Sequence, residues 1–223
     1  MPALSEGTVQ ISPVLLDLAV GAVGVVNFGN LSHEQMTVQV RVFKWRQADG
    51  RESLDPTDEI VASPPKADIA PGATLSIRVV RTAQGAPATE DSYRLVIDQL
   101  PQAHEGGKAV VAMLLRQVLP VFFSGPQRSN PSVTWSIQRR DGRQVLAARN
   151  DGDRRMRIGK VTLSGGGGSA TLGGALLGYV LGHSTMGWTI PGKAAFAQGA
   201  TVSVRGQGDS GPINANASVS ASP

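Results

Sequence analysis

The sequence predicts an all-β protein of two sandwich domains, and three observations carry that prediction. Short β-prone runs follow one another with turn residues between them, and little of the chain reads as a helix. The run "MTVQVRVFKW" alternates with period two, placing Val38, Val40 and Val42 on one face and Gln39, Arg41 and Phe43 on the other. The charge changes sign along the chain. Residues 1–126 carry 10 basic and 13 acidic side chains, and residues 127–223 carry 11 basic and 4 acidic ones. The break falls at "SGPQRSNPS", which reads as a hinge. The expected domains are therefore 1–124 and 125–223, the second being the smaller.

Taken in order, "TVQISPVLLDL" reads as one strand and "AVGVVNF" as the next, with "FGNLSHEQ" as a turn cluster before "MTVQVRVFKW". "QADGRESLDPTDE" reads as a polar connection with an Asp-Gly turn signal. "IVASPP" is a short strand stopped by two prolines, which cannot continue a ladder. "IAPGATLSIRVVR" restarts after a Pro-Gly turn, "DSYRLVIDQLP" follows, and Glu105-Gly106-Gly107-Lys108 turns the chain into "VVAMLLRQVLPVFF". That makes seven runs by Phe123, the strand count of an immunoglobulin-like sandwich. The second domain reads as "VTWSIQ", "QVLAARN", "MRIGKVTLS", "ALLGYVLG", "GWTIP" and "TVSVRG", with "SGGGGSA" as a loop and a last strand expected at "INANASVS".

Composition narrows the chemistry. At 41% hydrophobic and 17% charged the chain can bury a real core, and the absence of cysteine excludes disulfides, zinc–thiolate sites and a thiol nucleophile. No transmembrane helix and no signal peptide are read; either the protein is cytosolic or a leader has been removed. Gly208-Asp209-Ser210-Gly211-Pro212 is similar to the nucleophile loop of trypsin-like proteases, but no Ala-Ala-His segment precedes it to supply the base such a serine needs. His33, His104 and His183 lack metal-ligand spacing, and Asp55, Asp58 and Glu59 read as a solvated loop rather than a cation site. The aromatic residues of the basic half, Trp135, Tyr179, Trp188 and Phe196, sit in apolar runs, where core packing is favoured over stacking on nucleic acid. No catalytic constellation, cofactor or metal site is read, so the expectation is a protein that is not an enzyme.

One long stretch is specific. Trp45, Gln47, Gly50, Leu54, Pro56, Thr57, Ser63, Pro64, Pro65, Pro71 and Gly72 occur in an order that resembles the first domain of periplasmic pilus-assembly chaperones, of their archaic branch. "YRL", "D-x-LP" and "LP-V-F" match as well, the likeness covers most of residues 9–126, and the second half fits more loosely. The resemblance implies two immunoglobulin-like domains in a boomerang, a periplasmic location, and binding without catalysis. In such proteins the last strand of the first domain completes the sandwich of a pilus subunit that lacks its own last strand. The subunit is then delivered to an outer-membrane usher. From the residues, no nucleic acid, membrane insertion or cofactor is expected, and self-association through the donor strand stays open for the free protein. A structural immunoglobulin-like surface protein or adhesin is the alternative.

Side chains alternate along a strand, so Ala109, Val111, Met113 and Leu115 form one row, and Val110, Ala112, Leu114 and Arg116 the other. By family register the first row enters the subunit, and the other face of 110–123 packs on the protein's own core. Three large aliphatic side chains would contribute about 5–9 kcal/mol gross, before the cost of ordering. Better-studied relatives hold the subunit's terminal carboxylate with an Arg on the first strand and a Lys near the end of the donor strand. Here "SPVLLDL" and Leu119-Pro120-Val121 offer no base at those places. Arg94 is the first candidate for the anchor and Arg116 the second, because a guanidinium binds a carboxylate bidentately.

Overall fold

The computed structural model describes residues 8–101, 113–125, 129–192 and 194–220. Among them the chain is all-β and divides into two compact units. The first is drawn from Met1–Trp45, Leu54–Pro87 and Asp91–Pro126, and the second from Arg46–Ser53, Ala88–Glu90 and Gln127–Pro223.

Among the described residues, ten strands run up to Ser124. They are β1 (Val9–Ser12), β2 (Leu16–Ala19), β3 (Val23–Asn30), β4 (Met36–Ala48), β5 (Arg51–Pro56), β6 (Ile60–Ser63), β7 (Lys66–Ile69), β8 (Thr74–Arg81), β9 (Asp91–Gln99) and β10 (Arg116–Ser124). One sheet has the order β1-β3-β8-β6; the other has the order β2-β10-β9-β4-β5, with β7 beside β4. Apolar positions two apart on facing strands close the core: Val26 and Phe28, Ile77 and Val79, Val38 and Val40, Leu95 and Ile97. The alternation expected for "MTVQVRVFKW" is present, with Val38 and Val40 buried and Gln39 and Arg41 not.

Two readings of this part need correction. "TVQISPVLLDL" is two strands, not one: β1 pairs with β3 in one sheet and β2 with β10 in the other. Pro13 has no N–H to continue the β1 ladder, and the chain changes sheets across it. The polar connection after Trp45 also contains a strand, β5, entered through Asp49-Gly50 with φ of 51° and 75°. These are the left-handed values of a two-residue hairpin turn.

One end of the first core is closed by charge. The Lys44 ammonium reaches Glu59 and Asp91 at 2.8 Å each, Arg81 Nε donates to Asp91 at 3.0 Å, and the Tyr93 hydroxyl donates to Glu59 at 2.7 Å. The hydrogen bonds from Lys44 and Tyr93 hold the Glu59 carboxyl below its ordinary range. Burial, then the bond to Glu59, pushes the Tyr93 hydroxyl above its own.

The second unit adds β11 (Val133–Arg140), β12 (Arg143–Asn150), β13 (Met156–Ile158), β14 (Val161–Gly165), β15 (Gly168–Leu172), β16 (Gly178–Val180), β17 (Ser184–Thr189), β18 (Thr201–Gly208) and β19 (Gly211–Val219). The main path is β15-β14-β18-β19-β11-β12-β17, with β13 pairing β16 and β18. Its core holds Trp135, Ile137, Leu146, Leu163, Val202 and Val204. "MRIGKVTLS" splits into β13 and β14, with Gly159-Lys160 between them. The glycine-rich loop is a tight β14–β15 hairpin whose two turn residues, Gly166 and Gly167, have φ of 58° and 88°. The expected last strand is β19.

Candidate functional site

The apolar run "VVAMLLRQVLPVFF" ends in β10. The strand forms because Val118, Val121, Phe122 and Phe123 favour extended backbone and both flanks offer ladder partners. β9 pairs with it antiparallel from Arg116 to Phe123, and β2 pairs parallel with Val121–Ser124 only. Over Arg116–Pro120 the edge away from β9 therefore has no described strand beside it.

The two faces of β10 differ. Leu119, Val121 and Phe123 enter the core, and the Phe123 ring meets Tyr93 edge-on, with centroids 6.2 Å apart. On the other face Phe122 is buried against Trp45, with centroids 6.0 Å apart. The expectation that the row opposite Met113 and Leu115 is the one that packs on the protein's own core is corrected: in β10 Leu119, Val121 and Phe123, of the same parity as Met113 and Leu115, fill the core, and Phe122 is buried on the other face. Exposure begins further back along the chain: Val118 is 43% exposed, Leu114 44% and Met113 88%. Leu115 is half-buried, and its carbonyl accepts the Gln99 N–H at 2.9 Å. Ala109 and Val111 lie outside the described residues.

Arg94 stands directly across from Pro120 on one side and Phe43 on the other. Its guanidinium lies 3.6 Å from the centre of the Trp45 ring, a stacked cation–π contact. Arg116 is elsewhere: with Arg41 it grips Asp98, each at 2.5 Å. Burial raises the Asp98 carboxyl, but the two guanidiniums outweigh it and hold the group below the usual carboxylate range. Asp98 and Glu59 thus share a sign. Each contributes stability that is complete above the unfolded value near about pH 4 and is lost as pH falls through the lower folded value. Thermal melts stepped downward from pH 6 should show little change to about pH 4.5 and a progressive fall in Tm below it.

The remaining motifs resolve into structure. Asp209-Ser210 is the two-residue turn between β18 and β19, and the Asp209 carboxylate accepts the Arg157 N–H at 3.2 Å. His183 Nε2 lies 2.9 Å from Asp153; that bond and those from Ser129 hold the Asp153 carboxyl down at about 2. His104 lies outside the described residues. Trp135, Tyr179 and Phe196 are buried and Trp188 packs on the second core, which leaves no stacking platform among them. Sequence reasoning passed over Trp45 as a contact. The signal was present: Trp45 shares the parity of Arg41 and Phe43 and lies two residues beyond Phe43, which faces Arg94.

The family model for pili and flagellar-assembly chaperones, PapD N-terminal domain, matches residues 12–128, more than half of the chain. The chain belongs to that family. The chaperone is also similar over nearly its whole length to solved structures. A chain of the complex between the chaperone CsuC and the tip adhesion subunit CsuE, from the archaic Csu pili of Acinetobacter baumannii, is 25% identical. The match covers 96% of this chain and 99% of that one, with a TM-score of 0.75. A chain of the Salmonella enterica complex of SafA pilin with the SafB chaperone is 17% identical, with 96% and 98% covered and a TM-score of 0.63. The CupB2 chaperone of Pseudomonas aeruginosa is 15% identical, with 94% and 100% covered and a TM-score of 0.58. These last two show the shared two-domain fold. No match stands out among proteins of curated function. The family and the Csu likeness place the chaperone in the archaic branch.

Proposed function

We propose that this chaperone captures pilus subunits in the periplasm by lending them the chain leading into β10, and passes them to an outer-membrane usher. The observation that carries the reading is the row along β10. Phe123, Val121 and Leu119 fill the chaperone's own core, and the same row runs out toward Leu115 and the exposed Met113. A finished structural domain has no use for a core row that continues into water. An incomplete sandwich offers it a place, with a strand edge beside it that no described strand occupies and that can take main-chain hydrogen bonds. Ala109 and Val111 are the further members of the donor row, and free chaperone can cap the row by self-association. Producing the chaperone together with pilus subunits of its source should give soluble one-to-one complexes. Subunits that stay soluble alone, or never bind, would return the protein to the structural-domain reading.

Arg94 is the proposed anchor for the subunit's terminal carboxylate. It faces Pro120, where relatives place a base near the end of the donor strand, and its guanidinium is stacked on Trp45. Arg116, the second candidate, is engaged by an acid shared with Arg41. Arg94→Ala should weaken subunit binding by roughly 10- to 100-fold, the worth of a charged hydrogen-bonded pair. Arg94→Lys should recover only part of that, since an ammonium cannot bind bidentately. Competition between tagged variants for a limited amount of subunit reads both.

A further inference from the structure

The row that enters the core from β10 contains one polar residue. Gln117 lies two positions before Leu119 and two after Leu115, so its side chain shares their face. It stands across from Ile97, which is buried. The residue is half-buried, and its amide makes no hydrogen bond among the described residues and keeps contact with water. Every other described large side chain of this row, from Met113 to Phe123, is apolar.

We propose that Gln117 sets the register and selectivity of the bound subunit. The inference rests on the strand-donation reading above. Gln117 marks the place where the chaperone's own core ends and a seated subunit's core begins. Once a subunit covers Leu115 and Met113, water leaves this junction from both sides, and an amide that loses water without a partner is costly. The subunit must therefore present a hydrogen-bonding group, a backbone peptide or a side-chain hydroxyl or amide, at the mouth of its groove. That group must lie about 7 Å from the pocket that takes Leu115, two residues of extended chain away. A slip of one residue would turn the whole row outward. A slip of two would push the amide into an apolar pocket. A single polar residue in an apolar seam acts in the same way in coiled coils, fixing register at a cost in affinity. A subunit whose groove mouth is wholly apolar is disfavoured.

The test uses full-length chaperone and pilus subunits of the source organism. Differently tagged parent and Gln117→Met chaperones are produced together with limiting subunit, and the ratio of recovered complexes is measured. Methionine keeps the length and removes the polar group; Gln117→Leu is the second variant, and Met113→Glu runs alongside. The expected result is that Gln117→Met takes about ten-fold less of its natural subunit than the parent does, which corresponds to one orphaned hydrogen-bonding group. The Tm of the free variant should be equal or higher, since an amide leaves an apolar row. If both apolar variants capture every subunit as well as the parent or better, while Met113→Glu captures none, the Gln117 assignment is overturned and strand donation stands. If Met113→Glu competes as well as the parent, or the parent captures nothing, strand donation itself fails and the assignment falls with it.

Discussion

Replacing Met113 and Leu115 together with glutamate is expected to abolish subunit capture while leaving the free chaperone folded. Met113 is 88% exposed, so a charge there costs the free protein almost nothing. Leu115 is half-buried and lies just before β10, held by its backbone to Gln99 rather than by packing in the core. In the free state the pair should lower Tm by only a few degrees, on the order of 1 kcal/mol for a partly exposed side chain. In a complex both positions would sit in an apolar groove. There an unpaired carboxylate costs several kcal/mol, and two of them together should reduce affinity by at least about 1000-fold. Co-purification with a subunit reads the loss, and circular dichroism melts of the free variant read the fold. Cooperative unfolding lost in the free variant would mean that Met113 and Leu115 belong to the chaperone's own core. Undiminished capture would mean that the subunit is held elsewhere.

The alternation behind that prediction was legible in the sequence, but its phase against the protein's own core was not. Met113 and Leu115 share one row by alternation alone, and only the structure shows that Leu119, Val121 and Phe123 of that same row fill the core. Legibility failed where two short strands share one apolar run. "TVQISPVLLDL" looks continuous because β1 and β2 both show apolar groups, yet they serve different sheets. Only the partner strands, β3 for one and β10 for the other, distinguish them. β5 failed for the opposite reason: it is exposed along nearly its whole length, so no apolar alternation marks it. The Asp49-Gly50 turn that enters β5 was visible, but a turn signal does not say whether a strand follows it. Arg94 was named as a candidate through its motif, and its stacking on Trp45 was not foreseen. The two residues are 49 positions apart in the chain, and only the register of β4 against β9 brings them together.

Two asparagines that the sequence leaves inconspicuous should prove among the most costly residues to replace. Asn30 ends β3 and Asn150 ends β12, and both are fully buried. The Asn30 amide donates to the carbonyls of Glu34, Ile69 and Ala70, at 2.8, 3.0 and 3.3 Å, and its oxygen accepts from Ser32. In the second unit Asn150 repeats the device. It donates to the carbonyls of Arg154 at 2.7 Å and Leu181 at 3.1 Å, and accepts from the backbone N–H groups of Ser132 and Gly152 at 3.0 Å. Each amide thus satisfies backbone groups at a strand end and in the loops that adjoin it. Alanine at either position orphans several buried peptide groups at once, each worth about 1–3 kcal/mol unpaired. We expect each single variant to lose roughly 3–5 kcal/mol, read as a drop in denaturant midpoint without a change in slope. Aspartate should be worse than asparagine in a pH-dependent way. A carboxylate set against carbonyl oxygens would have its folded pKa raised, so Asn150→Asp should cost most at neutral pH and less on acidification. Ser136→Ala, on the outward face of β11, serves as the control and should change the midpoint by no more than about 0.5 kcal/mol. If Asn150→Ala matched that control, its loop would be finding water instead, and the buried amide would be only one of several ways to close that end of the second sandwich.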